Sequence, residues 1–259
     1  MKKRLLYFCK SFKINFDELE IYDKDFIFGV LGVLVEYLSG LLMIFFIYDF
    51  VEDINGWSLD QVLFFYGLNL MGYSLWSCFF INTITLPYYI QRGEFDRFLV
   101  RPESPLFQIM MDSFDDDAWG ELVTGLIILC YSWIRLKIPP IYFLALPIIV
   151  VSGCLIYLGI SIILSTISFF TIAQADVANI TMEVKEFAKY PLTIYPKVLQ
   201  IIFTVVFPIG IVAFIPGMVL LGQIPWQLLL VIPLVAIVFF VLSTRVWYLG
   251  LKHYGGTGT

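Results

Sequence analysis

Two stretches of this chain contain no charged side chain and are longer than a soluble domain would bury. Val198 to Thr244 spans 47 residues and Ile138 to Ala175 spans 38. A helix that crosses a bilayer needs about 20 mostly apolar residues. The 259 residues are 60% hydrophobic and 14% charged, whereas soluble domains are roughly 25% charged. These stretches exclude a water-soluble protein and predict an all-α polytopic membrane protein.

Polar breaks divide the apolar sequence into six predicted transmembrane helices. The 38-residue stretch fits one span with an interfacial extension, because no turn signal interrupts its middle. The 47-residue stretch suits two spans, with Pro216-Gly217 and Gly222 to Pro225 as the breakers. The third span has only 13 uncharged residues between Glu121 and Arg135, so we expect it to begin earlier. The spans are expected within residues 26–48, 61–87, 115–135, 138–175 and, for the last two, 198–244.

The distribution of Lys and Arg predicts cytoplasmic termini, because cytoplasmic loops carry an excess of these residues. With both termini inside, 14 basic residues lie on the cytoplasmic side. They include Lys185, Lys189 and Lys197, which follow the fourth span. Only Arg135 and Lys137 are left outside.

The beginning of the chain interleaves charged and apolar side chains over residues 1–25. This pattern indicates an amphipathic helix that lies on the membrane surface, and no cleavable signal core follows the first basic residues. The predicted organisation is an N-terminal interfacial segment at 1–25, a six-helix transmembrane domain at 26–254 and a C-terminal tail at 255–259.

Charge and side-chain chemistry exclude several classes of function. A net charge of −5 has the wrong sign for a nucleic-acid partner. The four cysteines lack a metal-ligand spacing, and His253 is the single histidine. We therefore predict no metal site, no cofactor site and no catalytic residue in this chain.

The link between the second and third spans carries the most informative sequence. Charged and apolar side chains repeat there at helical spacing: Glu94, Phe95, Arg97, Phe98 and Leu99. A short helix in this link would show one apolar and one charged face to the cytoplasm. Arg101-Pro102 would end it. On composition alone, a solvated loop of the kind that the positive-inside bias produces is the alternative.

Two stretches of the sequence follow a known pattern. After the second span the pattern is matched by Leu86-Pro87, Arg92 to Arg97, Arg101-Pro102 and Pro105 to Gln108, and at the end by Trp247 to Tyr254. In these residues the chain resembles permease subunits of type-2 ABC exporters, in the branch similar to daunorubicin-resistance transport permeases. Length and predicted span number agree as well, so the resemblance covers the whole chain.

The resemblance implies that the link is a coupling helix between helices 2 and 3 that docks on an ATPase. The residues assigned to coupling are Arg92, Gly93, Glu94, Phe95, Asp96, Arg97, Phe98, Leu99 and Arg101. We expect the charged Glu94, Asp96 and Arg97 to make polar contacts with that partner. Phe95, Phe98 and Leu99 are expected to form the apolar anchor.

ATP hydrolysis for such a transporter must occur on another polypeptide, because this chain has no Gly-x-x-x-x-Gly-Lys-Ser/Thr motif to bind the phosphates. The resemblance implies two copies of a cytoplasmic ABC ATPase that bind ATP and Mg, and a second, different permease subunit. It implies export of a hydrophobic or amphipathic drug, antibiotic, peptide or lipid across a bacterial plasma membrane. The amphipathic N-terminus would help form the ATPase contact, and short re-entrant helices would lie outside between the last two spans.

Glu36 and Asn69 are candidates for the transport pathway. A carboxylate in the middle of a span costs about 2.5–3.5 kcal/mol on insertion scales, so Glu36 should face protein or water. Either Glu36 lines a pathway, or it is hydrogen-bonded at a helix or subunit interface, with Asn69 or Tyr66 as a partner.

The densest charge in the chain is the acidic cluster before the third span: Asp112, Asp115, Asp116, Asp117 and Glu121. It could bind a cation or a basic partner, or it could be an acidic helix start that the helix dipole favours. A secondary, ion-coupled transporter that uses Glu36 and this cluster is one alternative function. A non-catalytic membrane scaffold is another, and an intramembrane enzyme is disfavoured because Glu36 has no evident catalytic partner.

Overall fold

A computed structural model of the protein describes Lys10, Lys13 and residues 23–170 and 177–255. Within these ranges the chain is helical and contains no β-strand, so the predicted all-α class is confirmed. The predicted interfacial segment lies largely outside the described residues, as do residues 256–259 of the tail. The main helices are α1 Asp23–Phe50, α2 Leu59–Phe80, α3 Leu86–Gln91, α4 Asp96–Leu99, α5 Pro105–Met110, α6 Ala118–Arg135, α7 Leu146–Thr166, α8 Val177–Ala188, α9 Lys197–Ile201, α10 Phe214–Leu220 and α11 Leu228–Leu251.

In the part of the chain that the structure describes, four helical stretches are long and apolar enough to cross a membrane. They are Ile27–Phe50, Leu59–Gln91, Pro140–Phe169 and Leu228–Leu251. A fifth candidate is the pair Lys197–Val206 and Ile209–Leu220, which is bent by 80°. The polytopic membrane architecture is confirmed, and the number of six crossings stays a prediction.

The helices run between two ends of one bundle, which we name after residues that mark them. At the Trp57 end, Trp57 Nε1 donates to Thr193 Oγ1 at 2.7 Å, and Arg135 pairs with Asp60 at 3.4 Å. At the Phe95 end, the rings of Phe95 and Tyr254 lie 4.9 Å apart. The first four long helices, α1, α2, α6 and α7, therefore alternate in direction, whereas α7 and α11 both end at the Phe95 end.

Glycines allow the central helices to approach closely. A Cβ atom on Gly67 of α2 would lie 2.9 Å from the backbone nitrogen of Leu129 in α6. On the other side of α2, a Cβ on Gly72 would lie 3.2 Å from Cα of Gly153 in α7. Small residues are favoured at such crossings because helices in lipid associate through close packing.

The stretch after the fourth span differs from the sequence prediction. Helix α8 contacts the Ile81–Thr85 turn near the Phe95 end, and Thr193, shortly after α8, lies at the Trp57 end. Lys185 is buried at mid-bundle, where its carbonyl accepts a hydrogen bond from Asn69. The assignment of Lys185, Lys189 and Lys197 to a loop on the side of residues 92–101 is therefore wrong. The count of basic residues is misleading here because the Lys185 side chain is buried inside the bundle.

The apolar stretch from residue 198 to 244 contains α11, which is long enough to cross a membrane, and the bent helix pair Lys197–Leu220, which we call the hairpin. The hairpin begins at the Trp57 end, reaches mid-bundle and returns. At its tip Val212 lies beside the crossing of Gly72 and Gly153, and on its returning arm the Phe214 ring lies 5.9 Å from Trp57. Its returning helix, α10, contains Pro216 and Gly217, so the hairpin includes the first of the predicted breakers. Two spans in this stretch stay a prediction.

Candidate functional site

The predicted coupling link folds into a compact unit at the Phe95 end, which we call the platform, residues 86–112. Pro87 lies in the first turn of α3, where a missing N–H costs no helical hydrogen bond. Gly93 follows α3 with a φ of +69°, a conformation that glycine adopts without strain. The chain then turns back, and Glu94 N donates to Tyr89 O at 2.8 Å. A local sequence signal therefore sets the shape of the platform.

Two phenylalanines fix the platform to the bundle. Phe95 and Phe98 are both fully buried. The Phe95 ring lies 4.9 Å from Tyr254 and 5.5 Å from Phe169, and Phe169 lies 5.5 Å from Trp247. The link motif and the tail motif, which the sequence places about 150 residues apart, therefore meet in one aromatic cluster.

This burial corrects the expected role of Phe95 and Phe98. They were predicted to anchor the chain on an ATPase, but they face the interior of this subunit and are not available to a partner. Leu99 is 42% exposed and remains accessible. Helical spacing identifies an apolar face, but it does not tell which neighbour covers that face.

The charged residues of the platform also bind within the chain. Tyr254 Oη donates to Asp96 Oδ1 at 3.0 Å. Asp112 Oδ2 accepts from Arg97 Nη2 at 3.1 Å and from Tyr89 Oη at 2.8 Å. These contacts hold α4 in a fixed orientation and leave only part of its polar surface for a partner.

The outer surface of the platform is small, apolar at its centre and basic at its edge. Val100 is 85% exposed beside Leu99, and Arg101 is exposed next to it. The Arg92 guanidinium lies 4.1 Å above the ring of Tyr88, and Glu94 is half-buried. An apolar centre with a charged rim is the arrangement that protein–protein interfaces typically have.

Side-chain amides and carboxylates connect the platform to α2 and α6. Asn82 Nδ2 donates to Ile109 O at 2.8 Å. Ser77 Oγ, in α2, donates to Asp115 Oδ2 at 2.9 Å, just before α6. Burial is the main cause that raises the pKa of Asp115, and the hydrogen bond from Ser77 opposes it. The platform is thus linked by a hydrogen bond to the turn that follows α2, and the Phe95 cluster links it to the segments that follow α7 and α11.

The acidic cluster does not come together as a cation site. Asp112 binds Arg97, and Asp115 binds Ser77. Glu121 turns instead into the bundle and accepts from Tyr37. No group of acidic, His or Cys residues suited to a metal ion occurs in the described part of the chain. Asp117 precedes α6 and Glu121 lies in its first turn, which agrees with an acidic helix start.

A second site, buried at mid-bundle, was not predicted from the sequence. We call it the polar chain: Tyr157, Asn69, Lys185, Tyr37 and Glu121. Tyr157 Oη donates to Asn69 Oδ1 at 2.5 Å, and Asn69 Nδ2 donates to Lys185 O at 3.1 Å. Lys185 Nζ donates to Tyr37 Oη at 3.0 Å, and Tyr37 Oη donates to Glu121 Oε1 at 2.7 Å. One series of hydrogen bonds thus joins α1, α2, α6, α7 and α8.

Of the two predicted pathway residues, only Asn69 belongs to this polar chain. Glu36 is exposed on α1, on a different side from its buried neighbour Tyr37, and it does not contact Asn69. Val177, Thr181 and Lys185 recur in the sequence at intervals of four residues, and all three are buried on the inward face of α8. This spacing was the sequence signal for that face. The charge of Lys185 concealed this signal.

An all-α bundle with several helices long enough to cross a membrane defines a polytopic membrane protein, and its motif residues meet at the Phe95 end, as expected of a membrane transport subunit, a permease. The chain matches the family described as ABC-2 family transporter protein over residues 34–258, and it belongs to that family. The resemblance to type-2 ABC permeases is thereby confirmed. No curated protein and no solved structure is significantly similar to the chain.

Proposed function

We propose that this chain is the permease subunit of an ABC exporter, that it forms half of a translocation pathway, and that a separate ATPase drives it through the platform. The observation that carries the proposal is the aromatic cluster of Phe95, Phe169 and Tyr254, which joins the exposed platform to the ends of α7 and α11. Membership of the ABC-2 family supports an ABC ATPase as the partner.

The packing of the platform supports a mechanical role. A force on Leu99 and Val100 would be passed to Phe95 and Phe98 directly beneath them. Because protein interiors are close-packed and resist compression, buried rings transmit such a displacement instead of absorbing it. The helices that receive it include α2 and α7, which hold the tip of the re-entrant hairpin. Movement at the Phe95 end would thereby open or close the Trp57 end.

The incomplete cover of the bundle supports a second permease subunit. Three glutamates are exposed although they lie within helices that pass through the bundle: Glu36 on α1, and Glu183 and Glu186 on α8. Carboxylates at that depth cost several kcal/mol when they face lipid, so these faces should meet another subunit or a water-filled pathway. We propose that the partner is a different but similar chain and that two ATPase copies bind the pair.

The finer features of the proposal rest on the motif residues. Export of a hydrophobic or amphipathic compound, the daunorubicin-resistance-like branch, a role in multidrug efflux and a bacterial plasma membrane follow from the resemblance in residues 86–108 and 247–254. In this assignment the Phe95 end and both termini are cytoplasmic. ATP and Mg bind to the ATPase, and this chain acts by binding and moving the cargo.

The first test is a site-specific photo-crosslink from the platform. A photoreactive amino acid at Val100 should form an adduct with an ABC ATPase in membranes of the native host. Trp226, which is 58% exposed, is the matched control at the opposite end and should give no such adduct. An ATPase adduct from Trp226 but not from Val100 would refute the assignment of the platform.

The second test concerns coupling. Glu94→Ala should leave membrane insertion intact and lower ATP-driven transport, because Glu94 lies half-buried at the edge of the docking surface. Normal transport together with normal ATPase stimulation in this variant would remove Glu94 from the coupling surface. Flux that is driven by a pH gradient in the absence of any ATPase would favour the ion-coupled alternative instead.

A further inference from the structure

The ammonium group of Lys185 lies in a cage of aromatic rings and a carboxylate at mid-bundle. The Lys185 side chain is buried, and the residue is only 8% exposed. Its Nζ atom lies 4.6 Å from the centre of the Tyr73 ring and 5.1 Å from the centre of the Tyr37 ring. The Tyr37 hydroxyl connects it to Glu121. We call Tyr37, Tyr73 and Glu121 the cage.

A cage of this composition is a binding site for a cation. Tyrosine faces attract ammonium groups through the ring quadrupole, and aromatic cages are a general means of recognising alkylated ammonium ligands. The carboxylate of Glu121 adds an opposite charge. Its Oε2 atom is buried and accepts no hydrogen bond from the described part of the chain. The cage therefore keeps an acceptor that Lys185 does not use.

The charges around the cage favour a cation in it. Glu121 interacts electrostatically with Lys185, and also with Glu36 and Asp115. The next lysine along the chain, Lys189, follows α8 and is already paired with Glu186. Among the described residues, Lys185 is thus the one ammonium that contacts the cage. Negative charge near the cage favours a bound cation there, which is either the Lys185 ammonium or that of a ligand that replaces it.

We propose that the cage binds the ammonium group of a cationic cargo, and that Lys185 occupies this site when cargo is absent. The proposal rests on the proposed transport function and names the chemical class of its substrate. Cargo binding would displace Lys185 together with α8, so that occupancy of the cage and the position of this helix are coupled. The polar chain through Asn69 and Tyr157 would then report the change to α2 and α7.

The exposed faces of α1 and α8 carry carboxylates next in sequence to cage residues. Glu36 precedes Tyr37 in α1 and Glu186 follows Lys185 in α8, and both carboxylates are exposed. Both also act electrostatically on the buried Tyr66. These two carboxylates would attract a cationic amphiphile to the open side of the bundle before its ammonium reaches the cage.

The first experiment is chemical rescue. Lys185→Ala removes the equivalent of an n-propylammonium ion, and the permease alone in nanodiscs should unfold at a lower temperature. Added n-propylammonium should restore at least half of this loss, whereas uncharged 1-propanol should not. Lys189→Ala, at the position just after α8, is the matched control and should show no rescue. Equal rescue by the alcohol, or none by the amine, would overturn the cage.

The second experiment tests the wild-type cage and does not depend on a folded Lys185 variant. Octylammonium should bind saturably to the wild-type permease in nanodiscs, above its partition into empty nanodiscs. Tyr73→Leu and Glu121→Gln should each weaken this binding by at least tenfold. Absent binding, or binding that both variants leave unchanged, would show that Lys185 is a structural residue and would end the proposal.

These experiments use the permease without an ATPase, so they separate the two proposals. Lack of amine binding would leave the platform assignment standing. A failed crosslink from Val100 together with amine binding would leave a cation site in a membrane protein that is driven in another way.

Discussion

Replacement of Phe95 by alanine tests whether the platform is held by its buried rings. Phe95 is fully buried, with ring neighbours at 4.9 Å in Tyr254, 5.5 Å in Phe169 and 6.3 Å in Phe98. Truncation of a buried Phe typically costs about 3–5 kcal/mol. Since about 1.4 kcal/mol corresponds to a tenfold change, the equilibrium between docked and undocked platform should shift by two to three orders of magnitude.

Amide hydrogen exchange in nanodiscs measures this shift directly, because exchange reports local opening. In Phe95→Ala, amides of residues 86–112 should exchange about 100- to 1,000-fold faster, while those in the middle of α2 should change little. The exposed Leu99 provides the matched control. Leu99→Ala should alter exchange by no more than a few-fold, since exposed substitutions typically change stability by about 0.5 kcal/mol.

The two variants should separate stability from docking. Phe95→Ala should loosen the platform, whereas Leu99→Ala should weaken binding of the ATPase and leave the platform ordered. If Leu99→Ala accelerates exchange as much as Phe95→Ala, or if Phe95→Ala has no effect, then the rings do not hold the platform and the proposed transmission of force is refuted.

Three further predictions concern other residues. Burial raises the pKa of Asp115 above its usual 3.8, so the folded chain binds this proton more tightly; its stabilising effect is complete at low pH and is lost as the pH rises through the folded-state pKa. Asp115→Asn should therefore reduce the loss of thermal stability between acidic and neutral pH, and an unchanged profile would contradict this. Gly67→Ala should lower the unfolding temperature because its Cβ would meet the α6 backbone at 2.9 Å, while Gly32→Ala, with nothing within 4 Å among the described residues, should be neutral or raise it. Arg97→Gln should cost only about 0.2–1 kcal/mol, since its ion pair with Asp112 is partly exposed, and a larger loss in thermal unfolding would show that the pair is more than a surface contact.

Hydropathy alone predicted the long helices of the bundle. Stretches with few or no charges located α1 and α11, which are largely exposed, and also α2 and α7, which other helices largely bury. Hydropathy did not predict that α8 passes through the bundle, because its charged side chains lower its hydropathy although Lys185 is buried against Tyr37 and Tyr73. Nor did it predict the 80° bend in the pair Lys197–Leu220, whose tip lies against α2 and α7.

For the platform and the polar chain, local features were predicted from the sequence and long-range contacts were not. Proline and glycine positions and helical spacing predicted a short folded unit after α2, because those signals are local. They did not predict that Phe95 is covered by Tyr254, since this contact depends on residues far apart in the sequence. The polar chain was hidden for the same reason: Lys185 and Tyr37 lie 148 positions apart, and neither is unusual by itself. The motif in residues 86–108 located the proposed docking surface in the sequence, but only the tertiary structure shows which of its residues are exposed to a partner.

The contact between Asp96 and Tyr254 also has a consequence for biosynthesis. The two residues are 158 positions apart. At about 5–20 residues per second, the ribosome adds the second of them roughly 8–30 s after the first. During this interval the nascent platform lacks the ring that covers Phe95. A subunit would therefore present a finished surface only after its last membrane helix has been made, which would delay assembly until translation has passed that point.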